Sequence, residues 1–376
     1  TRESGHHGCR RRRREKGCDM KVLDPSIVEG ADGIAELLAG GLATLLGPEA
    51  AARWQIRREH YQPRVLLSAD GDGIAAAALV SNRPATAALK IVDLWCCEAP
   101  ALTPMLDAVI AMARQARAAV VKWEIRHDAG LPEAARPRGF VEMQPRAHPD
   151  PGVDGYALWL TPLPHTEPRY YAQSTEFTCG AVAGLLAAEL VGRPGFSGDL
   201  RDRRLELDFW RTASNFPACE PIGLAVAVQR HLGVDRHVEV ALDTENPLLI
   251  DEFRGFDREF RIELQNDSRQ HAADLGVTVR GDRVEIAEVA ERISVGEIAL
   301  LLITQTPMHG QNEPHWITAH ASDGQTLVVV QDPWLDRPGG ETWVDAHDLP
   351  IRLAELDRMC RWGRDEHRGV VFVARE

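Results

Sequence analysis

The sequence predicts an α+β protein built as two domains, and three observations carry that expectation. Three prolines fall within the eight residues Thr161–Pro168, a composition that favours extended, semi-rigid chain and marks a domain boundary. On both sides of it, short β-rich runs alternate with segments of helical apolar spacing. At 376 residues the chain is long for one domain and comfortable for two. The expected division is a tail over residues 1–20, an α/β domain over 21–164 and a second domain over 165–376.

Taken in order, residues 1–20 hold seven Lys or Arg against three acids and read as a disordered, solvated tail, with Met20 a suitable natural start. Asp24-Pro25, an N-cap followed by a first-turn proline, predicts a helix directly after it. Strands are expected over 64–68 and 73–81, joined by the turn residues Asp70, Gly71 and Asp72, and again over 89–95. Leu102, Met105, Leu106, Val109, Ile110, Met112 and Ala113 recur at helical spacing, so 102–117 is a predicted helix. Strands over 119–125 and 156–160 close the first domain. The second domain opens with a loop over 170–180 and a helix of small and apolar residues over 181–191, stopped by Gly192 and Pro194. Helices follow over 205–212 and 221–232. Strands are expected over 238–242, 284–286, 299–304, 315–321, 326–331 and 370–374. Residues 243–273 are heavily charged and suit a helical insertion or a lid over a site.

Composition excludes some functions. The formal net charge is −13; the tail contributes +4, seven basic less three acidic residues, which leaves −17 on the remainder. Such an acidic body repels phosphate backbones, so no nucleic-acid partner is expected. No apolar run approaches the ~20 residues of a membrane helix, and the basic N-terminus lacks the apolar core of a signal peptide. No membrane association and a cytoplasmic location are expected. Cys9, Cys18, Cys96, Cys97, Cys179, Cys219 and Cys360 form no C-x-x-C pair, which fits a reduced protein.

The chemistry centres on Cys179. A thiol has a pKa of about 8.5, which falls at a helix N-terminus or beside an imidazolium. Cys179 precedes Gly180, which leaves room for substrate, and then the apolar helix. Gln173, six residues upstream, could pair its side-chain amide with the Cys179 N–H to hold an oxyanion. Asp323-Gly324 favours a two-residue hairpin turn. With that turn Ser322 faces Gln325, and counting down the strands sets His315 opposite Asp332 on one face. Asp332 would then accept from one imidazole nitrogen and leave the other for the thiolate. His309, His315 and His320 also raise zinc. Strand alternation puts His315 and His320 on opposite faces, and no further ligand set completes a tetrahedron, so no metal is expected. Cys219 is the rival nucleophile, but no glutamine precedes it at a suitable distance, and it reads as a structural cysteine before a helix.

The segments Gln173–Gly180, Pro314-His315-Trp316 and Gln331-Asp332-Pro333-Trp334 together resemble, in order and spacing, the bacteriocin-processing cysteine peptidases, papain-like domains that cleave double-glycine leader peptides. The chain resembles more closely a stand-alone cytoplasmic branch of that clan, often fused to an N-terminal acetyltransferase-like (GNAT-like) domain. The segments Arg211–Ala227 and Asp345–Ile351 look like further signatures of that branch. The resemblance covers about Tyr170 to Glu376. It implies a papain-like peptidase domain with Cys179 as nucleophile, His315 as base, Asp332 as its orienter and Gln173 in the oxyanion hole, acting on a peptide or amide substrate. Thr178 stands where the leader peptidases usually have Asp, the segment before the His315 strand is longer, and no transporter domain follows, which argues against cleavage coupled to export.

The first domain resembles the acetyltransferase fold in its strand order and central helix. In that fold a glycine-rich turn before the helix holds the pyrophosphate of acetyl-CoA on backbone amides. Here the corresponding link, Cys96–Leu102, has no glycine, contains Glu98, and at Pro100 lacks an N–H. The expectation is a degenerate relative that binds substrate or a partner, with no cofactor. The functional expectation is cleavage of a peptide or amide bond through a Cys179 acyl-enzyme. The alternatives are transfer of that acyl group to an amine in a biosynthetic pathway, and a non-catalytic peptide-binding module, against which the complete set of four residues argues.

Overall fold

A computed structural model of the protein describes residues 25–71, 73–144, 152–213 and 218–375. The expected tail over 1–20, Asp72 of the expected turn and part of the Arg211–Ala227 segment lie outside the described residues. The N-terminal half is one seven-stranded sheet of β1 (Ser26–Glu29), β2 (Arg64–Asp70), β3 (Gly73–Ser81), β4 (Ala88–Cys96), β5 (Val120–Arg126), β6 (Val141–Glu142) and β7 (Val153–Trp159), in the order β1-β2-β3-β4-β5-β7-β6. Its neighbours are antiparallel except β4 and β5. A parallel pair needs a crossover, and the helix Leu102–Gln115 supplies it. Of the predicted stripe, that helix buries Met105, Leu106, Val109, Ile110, Met112 and Ala113, and Leu102 at its start is partly buried.

The helix expected directly after Pro25 does not start there. Ser26–Glu29 forms β1, with Ile27 opposite Leu66 and Val28 opposite Val65, and the helix begins at Gly30. Pairing of these β-branched residues with β2 outweighs the local cap signal.

The C-terminal half is a second seven-stranded sheet of β8 (Val238–Leu242), β9 (Thr278–Arg280), β10 (Ile298–Thr304), β11 (Pro314–Ser322), β12 (Leu327–Gln331), β13 (Leu349–Arg352) and β14 (Gly369–Val373), in the order β13-β12-β11-β10-β14-β8-β9. The helices Cys179–Leu190 and Pro221–Leu232 pack on one face, where Leu300, Leu302, Trp316 and Val371 are buried. The helix Ile286–Ser294 packs on the other, over Ala299, Leu301, Ile317 and Val330. The strand expected over 284–286 is corrected by this helix. Ile286, Val289, Ala290 and Ile293 are buried at helical spacing, and three alternating residues are too short a signal. Most of the charged segment is the helix Gly255–Leu275, held to its preceding loop by the Gln265 amide, which bonds both the N–H and the carbonyl of Leu248 at 2.9 and 2.7 Å.

The two halves share a buried polar seam. Residues 161–169 form neither helix nor strand, and His165 pins them to Asp348 at 2.7 Å. Lys90 donates to Glu124 at 3.0 Å and also to Asp345; Lys122 donates to the His347 carbonyl at 2.5 Å. Burial pushes Lys122 down to about 7, against the pull of Asp348 and Asp345. The Asp345–Ile351 segment is therefore the receiving side of this seam. Buried charges need partners; Lys90 finds Glu124 on its own side and Asp345 across the seam, and Lys122 donates across it.

Candidate active site

Cys179 is the first residue of its helix, and every residue from Cys179 to Ala188 is buried. No charge interrupts Cys179–Ala188, which is why this helix sits inside the fold rather than along its surface. Gly180 is required by packing. A Cβ there would lie 3.0 Å from both Cβ and Sγ of Cys219 and 3.2 Å from Cδ1 of Trp316. Thr318 of β11 donates its hydroxyl to the Ala183 carbonyl at 3.0 Å, fixing the helix against the strand that carries His315.

The loop before Cys179 is braced by a buried carboxylate. Glu206, on the helix Asp202–Ala213, accepts from the Tyr171 hydroxyl at 2.9 Å, the Ser174 N–H at 2.8 Å and the Thr178 hydroxyl. Thr178 thus ties the loop before Cys179 to an acid from another helix.

His315, near the start of β11, meets Asp332 Oδ1 through Nε2 at 2.7 Å, which leaves Nδ1 for Cys179. Burial pushes the imidazole down, but the charge and hydrogen bond of Asp332, followed by the contact with Cys179, outweigh it, and the pKa is raised to about 9. Asp332 is fully buried. Burial favours its neutral form, yet the charges of His315 and Arg83 hold it well below the usual carboxylate range. Its Oδ1 also accepts the Trp334 N–H at 2.8 Å, and its Oδ2 accepts Nη1 of Arg83 at 2.6 Å.

The contact is present, but the hairpin register behind its prediction is wrong. Thr318 pairs with Gln331 and Ala319 with Val330, two residues from the expected pairing, and a bulge follows between Ala319 and Ala321. The turn is not the tight Asp323-Gly324 type. Asp323 Oδ1 accepts from the N–H groups of Gln325, Thr326 and Leu327, which makes a wider, side-chain-capped loop. A slip of two residues keeps every side chain on its face. Asp332 therefore meets His315 diagonally instead of directly across.

Gln173 is tied to the Asp332 loop, its N–H donating to the Pro333 carbonyl at 2.9 Å. Its side-chain amide donates to the Thr175 carbonyl at 2.7 Å, and its Oε1 is buried without a hydrogen-bond partner among the described residues. The amide must leave Thr175 before it can serve an oxyanion. Cys219 is fully buried, its carbonyl accepts Nε1 of Trp316 at 2.9 Å, and burial, then Cys179, then Glu220 push its thiol well up. A thiol so placed is a poor nucleophile. His320 faces the seam, with Asp348 3.2 Å away, whereas His309 sits near Asp332 Oδ2 at 4.0 Å. Among the described residues no group of three or more His, Cys, Asp or Glu is arranged to hold a metal ion. A cavity of about 960 Å³ lies beside Pro314, Glu220, Gly223, Ser268 and Trp362, one residue from both His315 and Cys219.

Sequence reasoning missed Glu206 and Arg83. Glu206 had a signal, an acid one residue after Leu205 and three before Phe209 on the inward face of its helix. Arg83 had none, because it lies in the β3–β4 loop, 249 positions from Asp332.

A buried cysteine at a helix start, a histidine raised by a carboxylate and a second layer of buried acids define a cysteine-peptidase-like site. Residues 168–374 match the Peptidase_C39 like family, and the chain belongs to that family. Over its N-terminal part the chain is similar to solved acetyltransferases. The ribosomal-protein-S18-alanine N-acetyltransferase from Escherichia coli is 14% identical, with 38% of this chain and 97% of that chain covered and a TM-score of 0.28. An acetyltransferase from Thermus thermophilus is 13% identical, with 37% and 99% covered and a TM-score of 0.27. A Bacillus subtilis acetyltransferase in complex with CoA is 14% identical, with 36% and 99% covered and a TM-score of 0.24. No curated protein matches the chain. No helix among the described residues is long and apolar enough to cross a membrane.

Proposed function

We propose that this protein cleaves a peptide or amide bond through an acyl-enzyme on Cys179. The observation that supports this reading best is the His315 ring, held by Asp332 at 2.7 Å and in contact with Cys179 at the start of a buried helix. In this scheme the His315 imidazolium stabilises the Cys179 thiolate, which attacks the carbonyl carbon. The oxyanion is held by N–H groups at the helix N-terminus, which have no intrahelical partner, and by the Gln173 amide after it leaves Thr175. His315 then gives its proton to the leaving amine, and the thioester remains. Water, deprotonated by His315, attacks the thioester, the C–S bond breaks and the acid is released. Cys179, Cys219 and Cys360 are free thiols, and the reading places the protein in the cytoplasm, where a reduced nucleophile persists.

The test is to incubate the full chain with a defined mixture of peptides and read the products by mass spectrometry. New cleavage products that vanish in Cys179→Ala are the expected result. Products that persist in that variant end the assignment. Adding increasing concentrations of amines decides the fate of the thioester. Free acid throughout supports hydrolysis, and amide formed in preference to acid at low amine makes the protein an acyl transferase.

A further inference from the structure

The loop from Asp332 to Glu341 belongs to the peptidase half, yet the N-terminal half holds it. Arg83 projects from the β3–β4 loop and is buried at its far end, with side-chain exposure of 1%. Its Nε and Nη2 donate to the two oxygens of Glu341, both at 2.7 Å, in a bidentate fork. Nη2 also reaches the Trp334 carbonyl at 3.3 Å, and Nη1 donates to Asp332 Oδ2 at 2.6 Å. One planar group thus fixes both ends of the loop that carries Asp332. The Arg83 loop is itself locked, since Thr86 donates its hydroxyl to the Arg83 carbonyl at 2.7 Å and the Ala87 N–H reaches the Pro350 carbonyl at 2.8 Å. A third tie crosses nearby, where the Tyr61 hydroxyl donates to Asp336 Oδ2 at 2.8 Å.

We infer that Arg83 is a positioning residue for the peptidase site, so that the N-terminal half clamps Asp332 in the orientation that presents Oδ1 to His315. This rests on the reading of Cys179, His315 and Asp332 as the reactive set. The logic is one of occupied lone pairs. With Oδ2 committed to Arg83, the carboxylate plane cannot turn, and Oδ1 is left to the imidazole and the Trp334 N–H. The charge count agrees. Asp332 and Glu341 are two buried carboxylates, and without the guanidinium Asp332 would keep only the charge of His315 while Glu341 would lose its ion pair. Lysine could restore the charge but not the fork. The N-terminal half therefore has a role in the chemistry that requires no ligand of its own.

The test uses the full chain and reads the rate of Cys179 carbamidomethylation by iodoacetamide at pH 7, located by peptide mass mapping so that other thiols do not contribute. Arg83→Ala is placed in the parent and in an Asp332→Asn background, with thermal melts to confirm folding. If Arg83 acts through Asp332, the substitution slows labelling about tenfold or more in the parent and by less than about twofold in the Asp332→Asn background. Should Arg83→Ala not fold, Arg83→Lys enters the same cycle and its rates are read by the same criteria. Equal slowing in both backgrounds, or no slowing in the parent, overturns the positioning role and leaves the Cys179 reading standing. Labelling that ignores both Asp332→Asn and His315→Ala sinks the reading beneath it instead.

Discussion

Asp332→Asn removes one charge from the site and almost none of its shape. The structure gives the size of the effect. His315 is raised from 6.5 to about 9, and burial, the largest influence on the ring, acts in the opposite direction. Asp332 is the larger of the two influences that raise the ring, ahead of Cys179, so losing the carboxylate costs the imidazolium on the order of 3 kcal/mol, at about 1.4 kcal/mol for each factor of ten. The Arg83 guanidinium would also face an amide in place of a carboxylate oxygen. Cleavage or Cys179 labelling at pH 7 should slow by about a hundredfold or more, and by less than in His315→Ala, because the ring itself remains. Rates are compared on samples whose melting curves show folded protein. A rate within about threefold of the parent, with folding intact, would refute the claim that Asp332 governs the protonation of His315.

Cys179→Ala should abolish cleavage while Cys219→Ala retains most of it and loses about 1 kcal/mol of stability from a fully buried side chain; a denaturant melt and a peptide assay separate the two effects. Gly180→Ala should destabilise the chain by about 1–3 kcal/mol, because the new methyl meets Cys219 and Trp316 at 3.0–3.2 Å, and a neutral melt would contradict the packing argument. The folded pKa of His315 lies above its unfolded value, so the protonated ring stabilises the fold fully below pH 6.5 and that contribution fades as pH rises to about 9. The stability gap between the parent and His315→Gln should therefore narrow from pH 6.5 to 9; a gap that stays constant or widens counts against the assigned shift.

Legibility in the sequence followed the range of the interactions. The helices Leu102–Gln115 and Pro221–Leu232 are readable because an apolar stripe or a first-turn proline is a local signal. β1 reads as helix because its strand character comes from β2, with Val28 pairing Val65, 37 residues further on. At the site, parity survives where register does not. The Asp323 cap lengthens the turn by an odd step, with Ser322 pairing Val328 in place of Gln325, and the bulge between Ala319 and Ala321 restores an even shift, so His315 and Asp332 stay on one face. Arg83 and Lys90 are illegible as partners of the peptidase half, since both meet carboxylates more than 240 positions on. A surface-like Arg in a hairpin loop becomes a buried clamp only when the second sheet is in place.

The most direct test of an activated Cys179 is a competition among thiols in the native full chain. Cys97 is exposed and Cys179 is only 4% exposed, so accessibility alone favours Cys97. The protein is treated with less than one equivalent of iodoacetamide at pH 7, and the adduct is located by peptide mapping. Cys179 should be labelled ahead of Cys97, and His315→Ala should reverse the preference. Labelling of Cys97 first in the parent, with Cys179 left untouched, would contradict the claim that Cys179 is an activated nucleophile.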